Sequence, residues 1–307
     1  MAESLVLQQL VSSIGQVLLG KDNQVRLALC CILADGHLLI EDLPGMGKTT
    51  LAHALGSVLG LSYNRVQFTS DLLPADLLGV SIFNRQQSSF EFHRGPIFTQ
   101  LLLADEINRT TPKTQSALLE AMEERQVSIE GSTRELPQPF FVIATQNPSH
   151  HSGTFPLPES QLDRFLMRIE LGFPSKKAER KMLQGLDSRE KMQQLKPLIS
   201  LEQLQKLQQQ ARQVSVTDHL LDYLQRLIQF SRETPAFHYG VSPRGALAVL
   251  GAAKAWALLN DRDYLLPEDL QQIFPAVVGH RLSATGSNQS GDALAQFILA
   301  EVDVLYS

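Results

Sequence analysis

The sequence predicts an α/β fold with a parallel sheet, followed by an all-α second domain. Three observations predict it. Strand-like apolar runs alternate with helical periodicity through the first half of the chain, and a Gly-rich loop separates the first such run from a helix. Beyond Gly172–Phe173–Pro174 strand signals vanish, while Gln, Leu, Lys and Arg dominate. At 307 residues the chain is long enough for two domains, which we place at 1–175 and 176–307.

Val17–Gly20 reads as a loop, and Asn23–Ala34 carries apolar residues at helical spacing. His37–Glu41 has the character of a short buried strand; the Gly-rich loop and a helix over Thr49–Leu59 follow. Further strands are expected at Tyr63–Thr69, Leu101–Asp105, Phe140–Thr145 and Phe165–Leu171. Thr111 and Pro112 suit the N-cap and first position of a helix containing Thr114–Glu124. Two segments break the strand–helix order and read as β-hairpins that project from the sheet. One pairs Val80–Phe83 with Phe90–Phe92, the other Val127–Ile129 with Arg134–Leu136. In the second domain Leu201–Gln213, Thr217–Glu233, Pro243–Asn260 and Pro267–Val278 keep helical spacing. The run Gln208–Gln210 reads as a solvated helix face, because Leu201, Leu204, Leu207 and Ala211 hold the apolar stripe around it.

Hydrophobic residues make up 43% and charged residues 19%, enough apolar material for a sizeable core. The net charge of −5 argues against nucleic acid as the main partner and is compatible with a local basic patch. Cys30 and Cys31 are adjacent in an apolar run, where a disulfide between them would be strained; both read as small buried hydrophobes. No secretory leader is recognisable and no stretch is long enough to span a bilayer, so a soluble cytoplasmic protein is expected.

Chemistry concentrates at three strand ends. The first strand runs into Asp42–Leu43–Pro44–Gly45–Met46–Gly47–Lys48–Thr49–Thr50, which departs from G-x-x-x-x-G-K-[ST] only by Asp42 in place of the first Gly. In such a loop, Pro44–Thr50 wrap the phosphates at a helix N-terminus, with the backbone N–H groups of Gly45 to Thr50 turned inward on them. Lys48 would reach the β- and γ-phosphates of ATP, and Thr49 would ligate Mg²⁺. The apolar run Leu101–Ala104 ends in Asp105–Glu106, two carboxylates at the carboxyl edge of a buried strand. Asp105 would hold Mg²⁺, directly or through water, and Glu106 would orient the attacking water. Asn147, after the Phe140–Thr145 strand, is the candidate for holding the γ-phosphate or the water; an Asn147–Pro148 turn is the alternative reading. Arg164 and Arg244 carry no spacing rule of their own, and by residue type each reads as an ordinary surface cation.

Taken together and in order, these motifs resemble the MoxR family of AAA+ ATPases. The resemblance is carried by Glu41–Thr50, Ala104–Arg109, Thr145–Pro148, Pro156–Phe165 and Ser242–Pro243–Arg244, and runs from about Gly20 to Arg281. It implies an AAA+ core with two inserted hairpins and a helical lid. It also implies that Asn147 is the sensor-1 residue, Arg244 the sensor-2 arginine, and Arg164 an arginine finger acting on ATP in a neighbouring subunit. Asp42 matches a variant seen within the family. The function so implied is a Mg²⁺-dependent, ring-forming ATPase, hexameric by expectation, that remodels or matures protein clients. A partner with a von Willebrand factor A domain and a part in metal-cofactor insertion belong to the same analogy. Alternatives are a nucleic-acid motor, a magnesium-chelatase-like subunit and an ATP-binding switch with negligible turnover. Against the motor stand the acidic balance and a second hairpin that carries Glu130, Arg134 and Glu135; against the switch stands an intact Glu106.

Overall fold

The computed structural model describes residues 2–147, 153–184, 188–285 and 290–304. The chain opens with helices α1 (Ala2–Val17) and α2 (Asp22–Leu33), followed by strand β1 (Leu38–Glu41), α3 (Lys48–Val58), β2 (Tyr63–Gln67) and α4 (Pro74–Leu78). A hairpin β3 (Gly79–Asn84)–β4 (Ser89–Arg94) precedes β5 (Leu101–Asp105) and α5 (Pro112–Glu124). A second hairpin, β6 (Gln126–Ile129)–β7 (Ser132–Glu135), leads to β8 (Phe141–Gln146), α6 (Glu159–Leu162) and β9 (Met167–Ile169).

Five strands form one parallel sheet in the order β2-β5-β8-β1-β9, and each hairpin is a separate two-stranded antiparallel sheet, as the breaks in the strand–helix alternation predict. Successive side chains of a strand buried on both sides must enter opposite layers. Leu38 and Ile40, Leu101 and Leu103, and Phe141 and Ile143 accordingly enter the layer beneath α2 and α3. Leu39, Leu102, Ala104, Val142 and Ala144 enter the other, with Leu118, Leu119 and Met122 of α5. The register aligns Glu41 with Gln146 and Gln67 with Asp105. The carboxyl ends of β1, β2, β5 and β8 therefore border one crevice, where an open α/β sheet binds its ligands.

The rest is helical: α7 (Lys176–Leu183), α8 (Ser188–Gln194), α9 (Leu201–Gln213), α10 (Asp218–Glu233), α11 (Pro243–Leu259), α12 (Pro267–Val278) and α13 (Gly291–Glu301). Ser200 and Ser242 cap α9 and α11 by accepting the backbone N–H groups of Gln203 and Gly245. Helix α11 packs on α2, where the Cys30 thiol donates to the Ala252 carbonyl at 3.1 Å, and both cysteines are buried and free.

Three expectations need correction. The C-terminal region is not purely helical, because β10 (Phe237–Tyr239) pairs with β11 (Ser283–Ala284) in a short antiparallel ribbon too brief for periodicity to reveal. Gln208 is buried rather than solvated; its amide donates to the Ile32 carbonyl at 2.8 Å, at the junction of α9 and α2. The fifth strand is shorter than Phe165–Leu171, since only Met167–Ile169 pairs with β1. Helices α1, α7, α8 and α13 lie outside the helices that periodicity predicts.

Candidate active site

The phosphate loop occupies the bend between β1 and α3. Gly45 and Gly47 have φ of +84° and +97°, a left-handed backbone that glycine adopts without steric cost. A Cβ on Gly47 would also lie 2.8 Å from Leu18 Cδ1, a side-chain end that could shift aside, so it is the dihedral that calls for glycine here. Asp42 has a structural task here. One carboxylate oxygen accepts the Leu43 N–H at 2.7 Å and the other the Gly172 N–H at 2.6 Å, which anchors the start of the loop to the end of the sheet. Lys21 secures the same turn by donating to the carbonyls of Leu171, Gly172 and Phe173 at 2.6, 2.9 and 2.6 Å.

Lys48, Glu106 and Asn147 meet in one network. Lys48 Nζ donates to the Asp42 carbonyl at 2.5 Å and to Asn147 Oδ1 at 2.9 Å, while Asn147 Nδ2 donates to Glu106 Oε1 at 3.0 Å. Burial pushes the Lys48 ammonium below its ordinary pKa, against the raising effect of Asp42, Asp105 and Glu106. Glu106 itself has φ 57° and ψ 49°, a left-handed conformation that costs a non-glycine residue roughly 1 kcal/mol. The Thr145 hydroxyl holds it there, accepting the Glu106 N–H at 2.9 Å while donating to Asp105 Oδ1 at 2.5 Å.

The crevice has a cavity volume of about 560 Å³ and is bordered by Pro44, Gly45, Gly47, Lys48, Thr49, Thr50, Asp105, Glu106 and Asn147. Met46 belongs to the loop but does not line it. Sequence reasoning missed several polar neighbours. Arg65 pairs with Asp105 Oδ2 at 2.6 Å, Gln67 donates to Glu106 Oε2 at 2.8 Å, and Arg109 reaches the same oxygen at 2.8 Å. A signal existed for two of them. Arg65 and Gln67 are two apart on an edge strand, hence on one face, at the carboxyl end beside Asp105. Pro148, the alternative partner of Asn147 in a turn, lies outside the described residues.

Arg164 and Arg244 do not join this crevice. They line a separate cleft of about 360 Å³ on the α5 side, which shares no lining residue with the first. There Arg164 Nε donates to Glu123 Oε2 at 2.7 Å and Arg244 Nη2 to Glu123 Oε1 at 2.9 Å.

Known proteins resemble the chain over nearly its whole length. Residues 37–167 match the model of the ATPase family associated with various cellular activities (AAA), and residues 229–300 match the AAA lid domain. The Chaperone MoxR1 of Mycobacterium tuberculosis is 38% identical over 98% of this chain and 80% of its own. The chain belongs to the MoxR family of AAA+ ATPases. An uncharacterized protein, YeaC of Bacillus subtilis, is 44% identical over 97% of this chain and 93% of its own. The fold agrees with a crystal structure from Cytophaga hutchinsonii, described provisionally as that of an ATPase. That structure has a TM-score of 0.90 at 33% identity and covers 99% of this chain and 96% of its own. MoxR-family membership brings nucleotide binding with it. No helix among the described residues is long and apolar enough to cross a membrane.

The donors expected for Mg²⁺ suit that ion. Thr49 and Asp105 border the same crevice and offer a hydroxyl and a carboxylate, hard oxygens of the kind Mg²⁺ takes together with phosphate and water.

Proposed function

We propose that the protein hydrolyses ATP to ADP and phosphate in a homo-oligomeric ring and uses the energy to remodel or mature protein clients. The observation that carries this reading is the Lys48–Asn147–Glu106 relay, one amide joining the phosphate-binding lysine to the carboxylate best placed to orient water. In this reading backbone N–H groups of Gly45–Thr50 hold the phosphates and Lys48 neutralises the transferring group. Glu106 orients the attacking water, and Asn147 senses the γ-phosphate between them. Mg²⁺, held by Thr49 and Asp105, would supply charge neutralisation on the phosphate oxygens.

Arg164 and Arg244 stand in a cleft apart from the phosphate loop, and this supports a role on the nucleotide of a neighbouring subunit. A finger supplied in trans makes turnover depend on assembly. Hexameric closure, a von Willebrand factor A domain partner and metal-cofactor insertion follow the family analogy. A protein client, rather than nucleic acid, is supported by the β3–β4 hairpin, which exposes Ile82, Phe83 and Phe90.

ATP turnover measured against protein concentration tests the reading. Specific activity should rise as rings assemble, and Glu106→Gln should bind ATP while losing about 10²–10³-fold in kcat. Full turnover by Glu106→Gln would remove the assignment.

A further inference from the structure

The two arginines of the second cleft are not independent. Arg164 belongs to the α/β domain, between α6 and β9; Arg244 is in the first turn of α11 in the helical region. Both converge on Glu123, next to the last residue of α5, each on its own carboxylate oxygen. Among the described residues Glu123 is the only acceptor of either guanidinium. The other two arginines of the cleft are engaged elsewhere: Arg125 pairs with Asp35 at 2.7 Å and Arg281 with Asp163 at 2.6 Å. Four arginines thus face three carboxylates in the cleft; Glu123 is shared by Arg164 and Arg244, as Asp35 is shared by Arg125 and, at 3.1 Å, Arg212.

We infer that Glu123 is a positioning residue of the arginine half-site: its carboxylate sets the spacing of Arg164 and Arg244 so that both meet one phosphate group of a neighbouring subunit together. The inference rests on the reading that these arginines act in trans. Two guanidinium groups on long side chains repel each other and wander; a carboxylate between them, one oxygen to each, removes both problems. The bound phosphate then finds a preformed fork. Glu123 and its partners are 35%, 29% and 50% exposed, so their ion pairs add little to folding stability. The two arginines hold the Glu123 carboxyl below its usual range, with the Arg164 hydrogen bond the largest cause.

Mixed rings test this. Glu123→Ala should unfold at an unchanged temperature and bind ATP as the parent does, yet lose about 10- to 100-fold in kcat. Mixed with Glu106→Gln, it should recover activity above the sum of the two preparations. An intact phosphate loop on the Glu123→Ala subunit is then served by an intact arginine pair on its neighbour. A defect confined to the Glu123→Ala subunit's own nucleotide site would show no such recovery. Arg164→Ala mixed with Glu106→Gln, run in parallel, reports on the trans reading itself. Recovery in both mixtures supports the inference. Recovery with Arg164→Ala alone, or parental turnover by Glu123→Ala, overturns the role of Glu123 and leaves the trans reading standing. Recovery in neither overturns the trans reading and the inference with it.

Discussion

Lys48 Nζ lies 2.9 Å from Asn147 Oδ1, and that contact joins the loop after β1 to the end of β8 across the crevice. The same amide donates from its other end to Glu106. One side chain therefore joins Lys48 to Glu106, and if these bind phosphate and orient water as proposed, its removal should separate binding from chemistry.

Asn147→Ala should lower kcat by about 10- to 1,000-fold, because a single preorganised polar contact at a reacting centre is worth that much. ATP affinity should change far less, since the loop N–H groups and Lys48 remain. Steady-state turnover beside equilibrium binding of a fluorescent ATP analogue reads both quantities. Equal losses in each would refute the coupling.

Arg65 takes Asp105 Oδ2 at 2.6 Å, an oxygen that a divalent cation would need. Arg65→Gln should therefore lower the Mg²⁺ concentration that half-saturates nucleotide binding, by about two- to tenfold for the loss of one half-exposed ion pair. An increase would show that Arg65 helps to hold the phosphates instead of competing with the ion.

Burial holds the Lys48 pKa below 10.5, so the ammonium proposed to pair with phosphate starts to deprotonate at lower pH than an exposed lysine. Phosphate binding favours the charged form and must take up a proton. Nucleotide affinity should thus fall as pH rises through that lowered value, and Lys48→Arg should flatten the dependence. Isothermal titration from neutral pH upward into the alkaline range measures it.

His37 is buried neutral, with Nδ1 accepting the Val142 N–H at 3.0 Å and Nε2 donating to the Met122 carbonyl at 3.1 Å. Burial lowers its pKa from 6.5 to about 4. The unfolded chain binds the extra proton between those values, so stability is fully present above pH 6.5 and declines as pH falls to about 4. The shift corresponds to at most ~3 kcal/mol. Buried His280, whose pKa is also lowered, contributes to the same decline. Denaturant midpoints across that range should be less pH-dependent in His37→Gln than in the parent.

Much of this protein can be read along the chain. The Gly-rich loop, the carboxylates Asp105 and Glu106, and the polar Asn147 each close a short apolar run, so strand, bend and chemistry coincide within a few residues. The hairpins too announce themselves, as interruptions of a regular alternation. These are local features, set by periodicity and by the few residues that tolerate a left-handed backbone. Contacts between distant segments required the fold. Nothing near Gln208 predicts the Ile32 carbonyl that buries it, and the ladder beside β5 is what turns Arg65 and Gln67 toward Asp105 and Glu106. The meeting of Arg164 and Arg244 on Glu123 depends on how α11 packs over α2 and α5 lies across the sheet, since partners 41 and 121 residues apart leave no spacing to read. The chain by itself determined the Gly-rich loop, the residues of the candidate site and their strand framework. Tertiary packing decided which charges neutralise one another, because an ion pair depends on separation in space rather than in sequence.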